Sequence, residues 1–128
     1  MHRMEETLKI QESAENYLET ILILSQKKSQ VRSIDIVNEL AFSKPSVSVA
    51  MKNLRQNGYI LMDKDGHITL TDAGREIAET IYERHQLLSQ CLVRLGVDEQ
   101  TAIEDACRIE HVISAKSFEA VKHHLETH

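Results

Sequence analysis

The chain has no tryptophan, one proline, four glycines and two cysteines in 128 residues, and only 4% of it is aromatic. Two cysteines, Cys91 and Cys107, cannot build a disulfide scaffold, and in a reducing compartment both are expected as free thiols. Sparse aromatics weigh against a sandwich or barrel and favour helix. No apolar run approaches the roughly 20 residues that span a bilayer, so no membrane partner is expected. The opening Met1-His2-Arg3-Met4-Glu5-Glu6 lacks the apolar stretch of a leader, which points to the cytoplasm. Repeats and low-complexity tracts are also missing. What is present is ordinary for a globular protein: 41% apolar and 27% charged residues. The length suits one compact domain or two small subdomains sharing a core.

The net charge of −5 argues against a generic nucleic-acid binder, but it is unevenly spread. Residues 25–60 hold six Lys/Arg against two Asp/Glu, a net of +4, whereas 1–24, 61–97 and 98–128 carry −3, −2 and −4. A docking face needs positive potential only locally, so this basic segment fits a phosphate-contacting surface. On charge alone it is equally a solvated face.

Apolar residues at Ile10, Ala14, Tyr17/Leu18, Ile21 and Leu24 predict a first helix. Ser33 is the expected N-cap of a short helix with Ile34, Val37 and Leu40 on one side. Ala41-Phe42-Ser43-Lys44 reads as a turn, and Pro45 suits the first turn of the next helix, where its missing N–H costs nothing. That helix turns Val47, Ala50/Met51 and Leu54 inward. Tyr59–Met62 and His67–Leu70 flank Asp63-Lys64-Asp65-Gly66 as a hairpin. The order is that of a helix-turn-helix followed by a wing. After Thr71, a plausible cap, a long helix runs to about Leu95 with Ile77, Ile81, Leu88, Cys91/Leu92 and Leu95 along its apolar row. Gly96 stops it. Asp98 opens a helix carrying Ala102, Ala106, Ile109 and Val112, and Ser114 opens a last one with Phe118, Val121 and Leu125. The expected fold is mainly α: a winged helix-turn-helix over residues 1–71, then an all-helical metal-binding and dimerisation domain over 72–128. So small a helical unit with so much apolar surface completes its core in a homodimer.

In such a motif the second helix enters the major groove. At about 100° per residue its outer face presents Pro45, Val49, Lys52 and Gln56, flanked by Ser48 and Asn53. The hydroxyls of Ser46 and Ser48, with Lys52 and Gln56, suit base edges, and Val49 suits a thymine methyl. Lys44, Arg55 and the wing's Lys64 are placed for phosphates. The bland alternative is a winged helix that binds protein. With no outward Arg on that face, DNA shape and dimer spacing are expected to contribute to specificity.

Cys107-Arg108-Ile109-Glu110-His111 is the strongest chemical signal. Positions i, i+3 and i+4 share a helix face, so thiolate, carboxylate and imidazole can converge on one ion. Singly, a buried Cys is a small hydrophobe and a helical Glu or His is solvated; three donor types on one face favour a metal. His85 falls within the apolar row of the long helix, where a polar ring needs a partner, a backbone carbonyl or a metal. Asn16 and Glu19, three apart on the first helix, share a face beside the Tyr17/Leu18 row. Glu12 and Glu15 read as exposed, and Cys91 as core.

The chain resembles the diphtheria-toxin-repressor family of metal-dependent transcriptional regulators, which includes the manganese transport regulators. The matching stretches are Glu15–Ile21, Lys44–Ser48, Leu70–Gly74, Arg84–Leu88 and, most specifically, Asp105–Val112. The resemblance implies a homodimer with an N-terminal winged helix and a helical dimerisation domain. It also implies docking on palindromic double-stranded operators and repression of metal-uptake genes when Fe(II) or Mn(II) is bound. A third, SH3-like domain of some members has no counterpart before His128, as in the short manganese type. Carried over, the family's ligands fall on Glu19, His85, Cys107, Glu110 and His111, with Asn16 at the variable position. Asn16 stands where the manganese type has Asp and the iron type Met; Cys107 is iron-like, where the manganese type has Glu. Ser89 and Ile103 occupy the positions at which an ancillary site would use Glu and His. The site is a hybrid. A thiolate in place of a carboxylate favours softer ions, so Fe(II) is expected first and Mn(II) next.

Two other classes compete. In a metal-independent winged-helix regulator the Cys/Glu/His cluster would be structural. In a metalloenzyme it would activate water, but neither a Gly-rich loop nor an α/β core accompanies it.

Overall fold

The computed structural model describes the backbone of residues 2–127 and the side chains of residues 12–127. Its elements are α1 (His2–Lys27), α2 (Ser33–Leu40), α3 (Lys44–Gln56), β1 (Ile60–Met62), β2 (Ile68–Leu70), α4 (Asp72–Arg94), α5 (Glu99–Ile109) and α6 (Ala115–Thr127). The side chain of Ile10, first in the predicted apolar row of α1, lies outside the described residues. Internal contacts divide the chain between Glu79 and Thr80, within α4.

The first part is a winged helix-turn-helix. Leu18 and Ile21 of α1, Ile36 of α2, Val47 and Met51 of α3 and Ile60 of β1 form its core, each at most 1% exposed. Helix α1 packs on α2, α3 and β2, and α3 packs on both α2 and β1. The α2 start differs from expectation. Arg32, not Ser33, is the N-cap residue, and the Asp35 carboxylate accepts its N–H at 2.9 Å. An acid in the first turn closes the helix end and complements its dipole, so no cap hydroxyl is needed. Lys28, 2.6 Å from Asp35, and the Arg32 N–H hold that carboxyl below its ordinary range. The inward residue of α2 is Ile36, while Ile34 is 44% exposed. Spacing explains the correction: 33, 36, 37 and 40 form one helical stripe, and 34 lies off it.

The turn and the start of α3 follow the sequence. Ser43 caps α3 by accepting the Ser46 N–H, with Pro45 in the first turn. The wing pairs Ile60 with Leu70 and Met62 with Ile68, antiparallel. An unpredicted bridge joins it to the segment before α2, where Ile68 donates its N–H to the Val31 carbonyl at 2.7 Å. Thr71 both caps α4, accepting the Gly74 N–H, and donates its hydroxyl to the Gly58 carbonyl. Gly74 itself is required by close approach: a Cβ there would lie 2.0 Å from the Tyr59 carbonyl oxygen.

The second part comprises α4 from Thr80 together with α5 and α6. Ile81, Leu88, Ala102, Ala106 and Phe118 are its buried apolar residues. Asp98 caps α5 and Ser114 caps α6, as predicted. Lys122 of α6 pairs with Glu83 of α4 at 2.8 Å. Helix α5 ends at Ile109, so Val112 leaves the predicted apolar row and is 68% exposed. Leu95 is 76% exposed, and Cys91 is only half-buried. Among the described residues, no helix is long and apolar enough to cross a membrane.

Candidate functional site

The end of α5 and the middle of α4 bring three of the predicted donors together. His85 Nδ1 lies 2.9 Å from Glu110 Oε2 and 3.7 Å from Cys107 Sγ. Ligand atoms of His85, Cys107 and Glu110 all fall within 4.8 Å of one another. Donors around a first-row ion with bonds of about 2.0–2.3 Å sit about 3–4 Å apart, so this spacing fits one cation. Glu110 is the C-cap of α5, still in helical geometry, and its side chain is 1% exposed. Its other oxygen, Oε1, faces His111 Nε2 at 3.4 Å. Both oxygens of a buried carboxylate thus meet imidazoles, with a thiol alongside. Hydrogen bonding to the Cys107 sulfur and then to Glu110 outweighs partial burial and pushes the His85 pKa up to about 10. Loss of that proton would free the His85 nitrogen to bind a cation.

The i, i+3, i+4 reading of one continuous helix holds only in part, because His111 lies in the turn beyond α5. Glu19 and Asn16 lie on α1 in the first part. Glu19 is 7% exposed, and Asn16 is half-buried with its carbonyl accepting the Thr20 hydroxyl. Glu12 and Glu15, expected in solvent, are half-buried. Ser89 gives its hydroxyl to the His85 carbonyl, and Ile103 is 42% exposed.

Sequence reasoning missed Arg84. Its Nη1 donates to the carbonyls of Glu110 and Ile113, both at 3.2 Å, and its guanidinium lies 5.6 Å from the centre of the Phe118 ring. The signal was its place next to His85 in the Arg84–Leu88 stretch. A second donor group, Asp63, Asp65 and His67, sits in the wing turn. There Asp63 accepts the Asp65 and His67 N–H groups and pairs with the His67 ring at 3.1 Å, which is the chemistry of a tight turn.

On α3, Lys44, Pro45, Ser46, Ser48, Val49 and Lys52 are all exposed, as is Lys64 in the wing. Ser46 is partly committed, because its hydroxyl accepts that of Ser43 at 2.8 Å.

Two family models match the chain: the N-terminal DNA-binding domain of iron-dependent repressors over residues 9–68, and their metal-binding and dimerisation domain over 71–127. The helix-turn-helix-type transcriptional regulator MntR of Bacillus subtilis (strain 168) is 34% identical over 109 residues, 85% of this chain and 77% of that protein. The solved manganese regulator SloR superimposes with a TM-score of 0.79 at 28% identity, covering 88% of this chain and 53% of that one. A manganese-dependent transcriptional repressor solved with manganese gives a TM-score of 0.81 at 26% identity, covering 88% of this chain and 52% of its own. The chain spans about half the length of these solved proteins. With matches over both halves, it belongs to the iron-dependent repressor, or diphtheria-toxin-repressor, family of metal-dependent DNA-binding transcriptional regulators, which are not enzymes.

Proposed function

We propose that this chain is a metal-activated repressor that acts in the cytoplasm as a homodimer on palindromic operators of metal-uptake genes. The observation that carries the reading is the buried carboxylate of Glu110 held between His85 and His111 beside the Cys107 sulfur, in a chain that also presents a helix-turn-helix.

His85, Cys107, Glu110 and His111 would hold the ion, with Glu19 and Asn16 as further donors from α1. When bound, a divalent cation supplies the positive charge that carboxylate and thiolate share. The chain's part is to give up the His85 proton, keep Glu110 away from water and offer sulfur at one position. That sulfur supports Fe(II) as the preferred ion and Mn(II) as the next, since thiolate ligands favour softer ions than carboxylates do. Lys44, Pro45, Ser46, Ser48, Val49 and Lys52 would face the major groove, and Lys64 a phosphate. Exposed Val93, Leu95, Ile103 and Val112 supply apolar surface for a second copy.

The test is DNA affinity across Mn(II), Fe(II), Co(II), Ni(II) and Zn(II) at fixed free concentrations, on duplexes selected from a random pool. The reading expects tight binding only with metal, strongest with Fe(II), and a two-fold symmetric selected site. Equal affinity in chelator would refute it.

A further inference from the structure

We infer that Arg84 is a positioning residue for the metal centre: it fixes the turn that presents Glu110 and His111 without touching any donor atom. The inference rests on the metal reading above.

Helix α5 stops at Ile109, so the carbonyls of Glu110 and Ile113 lie beyond its last helical residue. Arg84 supplies a donor to both. One Nη1 group, with two hydrogens, donates to both the Glu110 and the Ile113 carbonyl oxygens at 3.2 Å. A cation at a helix C-terminus also meets the negative end of the dipole. The face of Phe118, itself 5% exposed, backs the guanidinium at 5.6 Å and leaves it little freedom. Arg84 Nε is buried with no hydrogen-bond partner. An unsatisfied buried donor costs free energy, which the other contacts of the guanidinium must offset.

The consequence lies in the pairing with the next residue. His85 grips the Glu110 side chain at Oε2, while Arg84 grips its backbone oxygen. Helix α4 therefore holds Glu110 at two points, and the direction of the carboxylate is set by both. A lysine would keep the charge but lose the planar guanidinium that lies against the Phe118 ring.

Groups that orient metal ligands typically alter affinity by about 10–100-fold when removed. The experiment compares wild type with Arg84→Lys and Arg84→Gln, using Co(II) alone as the probe. Thermal melts of the metal-free proteins are recorded first, and titrations are run well below the lowest melting temperature. Wild type is expected to develop a sulfur-to-cobalt absorption from Cys107. Arg84→Lys should bind about tenfold more weakly and Arg84→Gln about a hundredfold, both with altered visible bands. Variants that match wild type in affinity and spectrum, even with lower melting temperatures, overturn the inference while leaving the metal reading intact. Wild-type protein that shows no cobalt absorption overturns both.

Discussion

At the residue scale the candidate centre sets the His85 imidazole against the Cys107 sulfur and the buried Glu110 carboxylate. Cys107 and Glu110 push the His85 pKa up to about 10, above an ordinary imidazole near 6.5. Metal uptake at pH 7 should therefore release a proton from His85, and apparent affinity should rise as pH rises toward 10. Calorimetry in buffers of different ionisation enthalpy reads that proton directly. The same shift has the opposite sign for the metal-free fold. A raised pKa contributes stability that is full below about 6.5 and lost as pH climbs through 10. Melting temperature without metal is thus expected to fall over that window, and a flat profile would contradict the His85 pairing. The sulfur makes a separate prediction: Cys107→Asp should shift preference toward Mn(II), with affinity for Co(II) falling by about tenfold or more relative to Mn(II). Competition titrations of the two ions check it.

At the scale of elements, much was legible because caps and breakers are local. Thr71, Asp98 and Ser114 each cap the helix the sequence assigns to them, and Ser43, read only as part of a turn, caps α3. What escaped was set by tertiary contact. Asp35 takes the place of a cap hydroxyl at α2, with Lys28 paired to it, and the Val31–Ile68 bridge joins segments 37 residues apart. The metal donors show the same divide. Cys107, Glu110 and His111 were visible as spacing on one segment, whereas the grip of Arg84 on the turn after α5 depends on where that helix stops. Gly74 was read within a family stretch, but its reason is steric. Gly74→Ala would drive a methyl into the Tyr59 carbonyl, and the forced shift is expected to cost about 1–3 kcal/mol. Urea unfolding should show a lower midpoint for that variant, and an unchanged midpoint would mean that the α4 start moves freely.

For the whole molecule, the apolar pattern exceeds what one copy covers. Leu95 continues the predicted inward row of α4 yet is 76% exposed, and Val112 is 68% exposed. Periodicity marked Leu95 as apolar-facing, but it cannot say which chain provides the cover. Leu95→Glu is expected to weaken self-association by at least tenfold while leaving the helical content intact, as measured by sedimentation equilibrium and circular dichroism. Binding to a two-fold symmetric site should fall with it, because each copy carries one reading helix.

Linkage ties the two ends of the account together. If metal raises operator affinity, operator must raise metal affinity by the same factor, typically worth about 1–3 kcal/mol. The most direct measurement is operator affinity of wild type and of Glu110→Ala/His111→Ala, each with Fe(II) and with chelator. Wild type should bind about 10–100-fold tighter with the ion, and the double variant should bind weakly and equally in both conditions. A double variant that still tightens on its operator when Fe(II) is added would contradict the account.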